Sequence, residues 1–564
     1  MKLVALIVEE YKELFKHQII NFSDEYEVEF EFEFYNEKHD SDEDYIPKFT
    51  FKKRDQYIEN FYQSNIENFS IIAGVNGTGK SSILNMLIHY EILYNKKAEY
   101  ENLRYCLVFK DENDICLEYS KYFCRDKNHA QIEIEGNKSQ IELEHGNGIA
   151  KYITNNKYNF ETKIGFLASE FDKNFARSSS YDKNIKNGIF PRKYDLLYPI
   201  NILRAYNNLK KTDFIQSDLR LKLEIRWKNF SDIFEDDEIT KENRERKKKV
   251  SISQMKYFEK NMHKIIVENR GKFKNEAIYK VWKSIDKLYR EGMVSVDHYD
   301  NNGSQAFFTT YIVFNGVRNQ KVFEDFLISY GNYLDYKNNS GGHEKSKKDF
   351  PDIEISMSKG ETNVLLLISQ ILQILSNDNA AGDYIVLIDE IETGMHLEWS
   401  RRILGFVVDY IKNEVSEKNS NAHFQFVFTT HSPFMLSDIK PGNVVSLKKE
   451  KGKTVVREHT NTFAKNIQEI MNEDMLISKI YGDFALLKIN SLINKLREDK
   501  IENKEVFLKE IKMISEPILR NKLLDMYHQK FDTSEDLNRT LLDKMNLTTE
   551  ERQKILDILD KKNN

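Results

Sequence analysis

Cysteine is scarce: Cys106, Cys116 and Cys124 are the only three in 564 residues, and none sits in a C-x-x-C spacing. An odd, scattered set argues against a disulfide framework or a zinc site and fits a reducing cytoplasm. A surplus of one charge sign is also missing. Charged residues make up 31% of the chain, yet the net charge is −6. No global basic field draws in nucleic acid, and any such patch has to be local. Long apolar runs are absent as well. The stretch Val364 to Leu375 is broken by Ser369, Gln370 and Gln373, and Glu9 and Glu10 stand where a signal peptide would be apolar. Neither a membrane span nor export is expected. What remains is 66.8 kDa of chain, enough for roughly two to four domains.

Periodicity organises that length. Lys2 to Val8 reads as a strand, and so does Glu25 to Phe34, where Tyr26, Val28, Phe30, Phe32 and Phe34 alternate with polar partners. The apolar run Phe69 to Ala73 leads into Gly74, and Ser81 to Tyr90 then carries Ile83, Leu84, Leu87 and Ile88 at helical spacing. Short alternating segments from Arg104 to Leu143, such as Tyr105 to Phe109 and Gln131 to Ile134, predict a small antiparallel β layer. Asp232 to Gly303 turns charge-rich and helical, with Met255, Phe258, Met262 and Ile266 on one stripe. A Gly, Ser and Lys-rich linker, Asn338 to Lys348, precedes strand Ile353 to Ile355, helix Asn363 to Leu375, and strands Tyr384 to Ile388 and Gln425 to Phe428. Beyond Asn466 the pattern is helical, with Phe507, Ile511 and Ile514 aligned, Pro517 as a break and a capping box from Thr548 to Glu551.

Four motifs carry chemistry. Gly74-Val75-Asn76-Gly77-Thr78-Gly79-Lys80-Ser81 matches G-x-x-x-x-G-K-[ST] between a strand and a helix. Glycines let successive N–H groups and the helix start face phosphates, Lys80 reaches the β and γ oxygens, and Ser81 ligates magnesium. The implied ligand is a nucleoside triphosphate, with Gly74, Asn76, Gly77, Thr78, Gly79, Lys80, Ser81 and Ser82 as the candidate binding positions. The run Tyr384 to Ile388 ends in Asp389-Glu390, a Walker B pattern that sets two carboxylates at the carboxyl edge of a parallel sheet. Asp389 is the candidate for holding magnesium and Glu390 for orienting the attacking water. A strand that ends in acids to cap the next helix is the ordinary structural alternative. Met357-Ser358-Lys359-Gly360-Glu361 opens a helix. Ser358, Gly360 and Glu361 are candidate binding residues there, against the plainer reading of an N-cap. In Thr429-Thr430-His431-Ser432-Pro433, His431 is the candidate γ-phosphate switch.

In this order the four motifs resemble those of ABC-type ATPases of the SMC, RecF and OLD groups. The resemblance implies an α/β fold: an ABC-type P-loop NTPase head with ATP and magnesium, and Glu390, His431 and Lys80 as catalytic residues. In those families two heads sandwich two nucleotides. Ser358 and Gly360 would then act across an interface, Gly394 to Leu397 would be the D-loop, and the assembly would be a homo-oligomer, at least a dimer. No glutamine marks a Q-loop; Ile164 to Glu170 occupies the corresponding region. The expected division is residues 1–231 for the first part of the head, 232–306 for a helical insertion, 307–465 for the second part and 466–564 for a helical partner or oligomerisation region.

The tail shows neither the glutamate and Asp-x-Asp of a TOPRIM nuclease nor, with only His459 and His528 after His431, an HNH site. Asn461 to Ile467 and Ile480 to Ala485 are similar to the post-head region of the PtuA family of Septu and retron-associated antiphage systems. That likeness implies a cytoplasmic defence ATPase working with a separate nuclease, an HNH PtuB-like subunit first and a TOPRIM-type subunit second. ATPases of the PARIS AriA type and repair ATPases of RecF or SMC type are the alternatives, and a transporter subunit fits less well. Contact with DNA or retron nucleic acid would fall to Arg244, Arg246, Lys247, Lys248 and Lys249, although interleaving with Glu242 and Glu245 is more often a solvated helix face. The Phe507, Ile511, Ile514 stripe offers a partner surface or, more commonly, packing within the tail.

Overall fold

Residues buried on both faces, rather than strict alternation, mark the centre of the main sheet, and the first strand is one of them. In chain order the strands and helices are β1 (Lys2–Tyr11), β2 (Phe15–Asn21), β3 (Tyr26–Phe30), β4 (Lys48–Lys53), β5 (Ile66–Gly74) and α1 (Lys80–Leu87). Next come β6 (Leu103–Lys110), β7 (Ile115–Ser120), β8 (His129–Ile134), β9 (Asn137–Glu142), β10 (Ile149–Ile153), β11 (Lys163–Ala168), α2 (Leu197–Lys210) and β12 (Leu219–Arg226). They are followed by α3 (Glu276–Arg290), β13 (Val294–Tyr299), β14 (Phe307–Phe314), α4 (Gln320–Asn339), β15 (Asp352–Glu354) and α5 (Lys359–Leu375). The head ends with β16 (Ala381–Asp389), α6 (Leu397–Lys418), β17 (Asn421–Thr430), α7 (Pro433–Leu436), β18 (Val444–Glu450) and β19 (Lys453–His459).

The computed structural model describes residues 2–32, 46–55, 57–89, 92, 100–110, 114–124, 129–143, 149–153, 163–168, 197–212, 214–226, 260, 263–264, 266–268, 270–272, 276–299, 307–339, 352–354, 357–375, 381–418, 421–459, 461–474, 481–498, 500–531, 548, 550–551 and 553–555. Two units separate, Met1–Leu476 and Ile477–Asn564. Among the described residues no helix is long and apolar enough to cross a membrane, and the three cysteines are buried.

In the first unit an 11-stranded sheet runs β10-β7-β6-β1-β2-β19-β18-β5-β17-β16-β11. One half is parallel, with β5 between β17 and β18, β16 beside β17 and β11 at the edge. The other half is antiparallel around β1, β2, β6, β7 and β10. Register decides where the motifs meet: Asp389 pairs with Thr429, and Thr430 with Ala73. The carboxyl ends of β5, β16 and β17 therefore share one edge, as ligand sites on open α/β sheets require. Helix α1 covers that half with Ile83, Leu84 and Leu87, which join Ile72, Leu387 and Val427 in one core.

Four expectations change. The Tyr105 to Phe109 segment belongs to the main sheet as β6, because it is buried on both faces against β1 and β7. The separate small sheet is β3-β4-β8-β9, and its β4–β8 pairing is parallel, so it is not purely antiparallel. The insertion is not all helical either. Val294-Ser295-Val296-Asp297 alternates with period two and forms β13, which joins a third sheet of order β13-β14-β12-β15. Helix α4 continues to Asn339, past the expected start of the linker. Phe34, Tyr90, Met255, Phe258, Met262 and the basic run Arg244 to Lys249 lie outside the described residues.

The second unit holds α8 (Asp483–Glu498), α9 (Lys504–Lys512) and α10 (Pro517–Phe531). Phe507 and Ile511 are buried with Leu492, Leu496, Leu523 and Tyr527, and Ile514 packs at the margin. The aligned stripe thus serves the tail's own core. Thr548 and Glu551 exchange the expected capping-box bonds, Thr548 N to Glu551 Oε2 at 2.9 Å and Glu551 N to Thr548 Oγ1 at 3.4 Å.

Candidate active site

The loop from Gly74 to Lys80 joins β5 to α1 and closes on itself. Thr78 donates through Oγ1 to the Val75 carbonyl at 2.8 Å, and its own carbonyl accepts from Thr454 Oγ1 at 2.8 Å. Gly79 has φ 99°, and a Cβ there would stand 2.8 Å from the Leu14 and Phe15 side chains. Backbone conformation and crowding both demand glycine at this position. Asn76 and Gly77 are exposed at the tip, Ser81 is exposed at the start of α1, and Ser82 is half-buried beside it.

Lys80 is the cation of the site, and its side chain is only 5% exposed. Its Nζ donates to the Gly74 carbonyl at 3.0 Å and lies 2.7 Å from His431 Nε2 and 3.5 Å from Glu390 Oε1. Burial lowers its pKa below the ordinary lysine value, against the opposing charges of Glu390, Asp389 and Glu392. Asp389 receives Ser81 Oγ on Oδ2 at 3.2 Å and the Thr429 hydroxyl on Oδ1. Burial, with the nearby Glu390 charge, raises its pKa in spite of those hydrogen bonds.

Glu390 stands at φ 44°, a left-handed conformation unusual for a side chain of this length. Its N–H is held by Thr429, 3.1 Å from both the carbonyl and Oγ1. Its Oε1 lies 3.1 Å from His431 Nε2. The triad is over-constrained. If Nε2 accepts from the Lys80 ammonium it has no proton for Glu390, and if it donates to Glu390 it confronts the ammonium. Oxygen-rich anions that accept from both Lys80 and His431 remove this conflict. The donor set also suits a hard cation: Ser81 and Asp389 offer oxygen only, and among the described residues no group of three or more His, Cys, Asp or Glu could hold a metal ion. Magnesium, which keeps few protein ligands and shares phosphate oxygens, fits that pair.

A second cluster opens α5. Ser358 and Glu361 form a capping box: Glu361 Oε2 accepts from Ser358 N at 3.1 Å and Oγ at 2.9 Å, and Ser358 Oγ accepts from Glu361 N at 3.3 Å. Glu361 also takes Gln216 N at 2.9 Å, Ser217 N at 2.8 Å and Ser217 Oγ at 2.6 Å. Its carboxylate thereby ties α5 to the segment before β12. Burial would raise its pKa, but the hydrogen bonds from Ser217, Gln216 and Ser358 win and hold it at about 2. Ser358 remains exposed, while Gly360 is buried against the turn after Glu390. A Cβ on Gly360 would lie 2.8 Å from the Gly394 carbonyl.

The structure therefore brings Lys80, Ser81, Asp389, Glu390 and His431 together and leaves Ser358, Gly360 and Glu361 on the far side of the turn 391–395. Two participants carry no sequence signal of their own. Thr454 acts through strand register. Glu392 accepts on Oε1 from His431 N and Thr430 Oγ1, each at 2.6 Å.

Two outcomes follow from these contacts. A carboxylate depressed from 4.5 to about 2 contributes stability above its unfolded pKa and loses it as pH falls through the folded one. The wild type should therefore lose this increment between about pH 4.5 and 2. Glu361→Ala should cost about 2–3 kcal/mol at neutral pH, and thermal unfolding across pH should show the gap from wild type narrowing in acid. Glu390→Asn and Glu390→Ile lose the same charge, so their difference isolates the backbone. The isoleucine variant should be less stable in denaturant titration by about 1–2 kcal/mol.

The family described as "AAA domain, putative AbiEii toxin, Type IV TA system" matches residues 155–437, half of the chain, including α5, Asp389-Glu390 and His431. The "Retron Vc95 probable ATPase" of Vibrio cholerae serotype O1 biovar El Tor is 23% identical over 483 residues, covering 79% of this chain and 82% of that protein. The "Septu protein PtuA" of Bacillus mycoides (strain KBAB4) is 21% identical over 248 residues, 40% of this chain and 31% of that protein. The "Retron Ec83 probable ATPase" of Escherichia coli is 34% identical over 100 residues, 17% of each chain. With a strand-loop-helix phosphate loop, a parallel sheet and acidic residues at its carboxyl edge, the chain belongs to this AAA-domain family and has the fold of a P-loop NTPase.

Proposed function

We propose that this chain binds and hydrolyses ATP as a component of an antiphage defence complex and controls a separate nuclease. The observation that carries the ATPase part is the convergence of Lys80, Ser81, Asp389, Glu390 and His431 within hydrogen-bond and ion-pair distance at one sheet edge. In this reading Lys80 and the loop backbone from Gly74 to Ser82 hold the triphosphate. Ser81 and Asp389 hold magnesium, which when bound neutralises charge on the phosphate oxygens. Glu390 orients the attacking water and takes up its proton, and His431 donates to the γ-phosphate. Exposed Ser358, with the start of α5 behind it, faces the nucleotide of a second copy, so the active form is at least a dimer. The defence role and the partner nuclease rest on the retron and Septu relatives and on the lack of nuclease motifs in the tail.

The expected results are specific. Lys80→Ala removes a desolvated cation and should weaken ATP binding roughly ten- to a hundredfold; unchanged affinity by calorimetry would contradict the loop's role. Glu390→Gln should bind ATP as the wild type does and turn it over about a hundredfold more slowly, and retention of full turnover would remove Glu390 from the reaction. The assembly is tested by purifying the tagged chain expressed from its own operon, with and without ATP. A nuclease recovered in fixed ratio supports the defence reading, and a bare ATP-dependent dimer favours a repair-type ATPase.

A further inference from the structure

We propose that Glu392 is a positioning residue for the hydrolytic centre: its carboxylate holds the backbone of His431 and couples that histidine, through the turn 391–395, to the start of α5. The proposal deepens the ATPase reading and rests on it.

Glu392 is set two residues beyond Glu390, in the turn that leaves β16. Its Oε1 receives two donors from the end of the neighbouring strand β17, His431 N and Thr430 Oγ1, each at 2.6 Å. Both are shorter than an ordinary amide contact, as expected when the acceptor is a carboxylate. Thr430 Oγ1 in turn accepts from Ser432 N at 2.9 Å. The carboxylate thus fixes three consecutive residues just where β17 ends and the His431 ring projects toward Lys80 and Glu390. The other oxygen, Oε2, is shut off from solvent, and among the described residues nothing donates to it. An enclosed acceptor left without a donor is costly, so the group is not there for its own stability. Burial also drives its pKa upward, against the hydrogen bonds from Thr430 and His431.

On its other side the same turn is bound to α5. Asn363 Nδ2 donates to the Ile391 carbonyl at 3.0 Å and the Thr393 carbonyl at 3.2 Å. Gly360 and Gly394 meet backbone to backbone, closely enough that a Cβ on either would come within about 3 Å of a neighbour. Direct contacts therefore run without a gap from exposed Ser358, through Gly360 and Asn363, to the turn, to Glu392, and on to His431, Lys80 and Glu390. Displacement of the α5 start shifts the turn, and Glu392 converts that shift into a movement of the His431 backbone. Because Oε1 only accepts, an amide oxygen at the same place performs the same task.

The test uses the full chain. Glu392→Ala should lower kcat about tenfold or more, as misplacement of a positioned group does, and leave the Kd of a fluorescent ATP analogue within about threefold, since the hydrogen bonds of its carboxylate run to Thr430 and His431 rather than to the phosphate loop. Glu392→Gln should restore kcat to within about threefold of wild type. Thr430→Val, which deletes one donor and keeps the His431 contact, should fall between the two. Hydrogen exchange of the 429–435 peptide should accelerate in the alanine variant and not in the glutamine variant, a readout independent of turnover. Wild-type kcat in Glu392→Ala, equal loss in Ala and Gln, or unaltered exchange would each overturn the proposal. Wild-type turnover that persists in Lys80→Ala would instead show that the ATPase reading itself has failed, whatever the exchange data show.

Discussion

Everything at the candidate site depends on the parallel register of three strands. β17 lies between β5 and β16, with Thr430 opposite Ala73 and Thr429 opposite Asp389. Each strand then ends at the same level, and the chain leaving each one has to turn at that edge. From β5 it turns into the glycine loop, from β16 into Glu390 and its turn, and from β17 into His431. A slip of one residue would exchange the faces of all side chains on the slipped strand. It would separate Thr429 from Asp389 and carry His431 away from Lys80. The buried aromatic ladder of Phe424, Phe426 and Phe428, with Phe69 stacked on Phe426 at 5.1 Å, holds that register from below.

Charge is then concentrated where water is scarce. Lys80, almost fully enclosed, faces Asp389, Glu390 and Glu392, and Asp389 and Glu392 are themselves pushed toward the neutral form by burial. Such a group of acids and one cation is held apart by hydroxyl and backbone donors rather than by solvent: Ser81 and Thr429 on Asp389, Thr430 and the His431 amide on Glu392. Preorganised dipoles of this kind do not have to reorient during a reaction, and this is why they act more strongly than water does. The strained backbone at Glu390 belongs to the same economy, because a tense conformation persists only where its surroundings over-determine it.

Local pattern made much of this readable in the sequence. The phosphate-loop motif, the apolar run into Asp389-Glu390 and the Thr-Thr-His segment each compress strand, turn and chemistry into a few consecutive residues, and β5, α1, β16 and β17 lie where those patterns put them. Glu392 and Thr454 did not stand out, because their importance arises from which strand lies beside which, and that is a property of topology. The contacts of Glu361 were hidden for a related reason: its partners Gln216 and Ser217 are far away in sequence. The β13 strand was hidden inside a charge-rich stretch whose helical periodicity dominated the longer window.

The long separation between the loop and the remaining motifs is cheap to maintain. Closing a longer connection costs only about 0.6 kcal/mol for each doubling of its length, so hundreds of residues can intervene between β5 and β16 with little penalty. The intervening chain is not idle: β12, β13, β14 and β15 build a sheet of their own, and Gln216 and Ser217, just before β12, supply the donors that lock Glu361 at the head of α5. The segment that leads into the third sheet is therefore tied to the start of α5 by a buried carboxylate, next to the exposed Ser358. A change at that carboxylate moves the start of α5, and α5 meets the turn that carries Glu392 through Asn363.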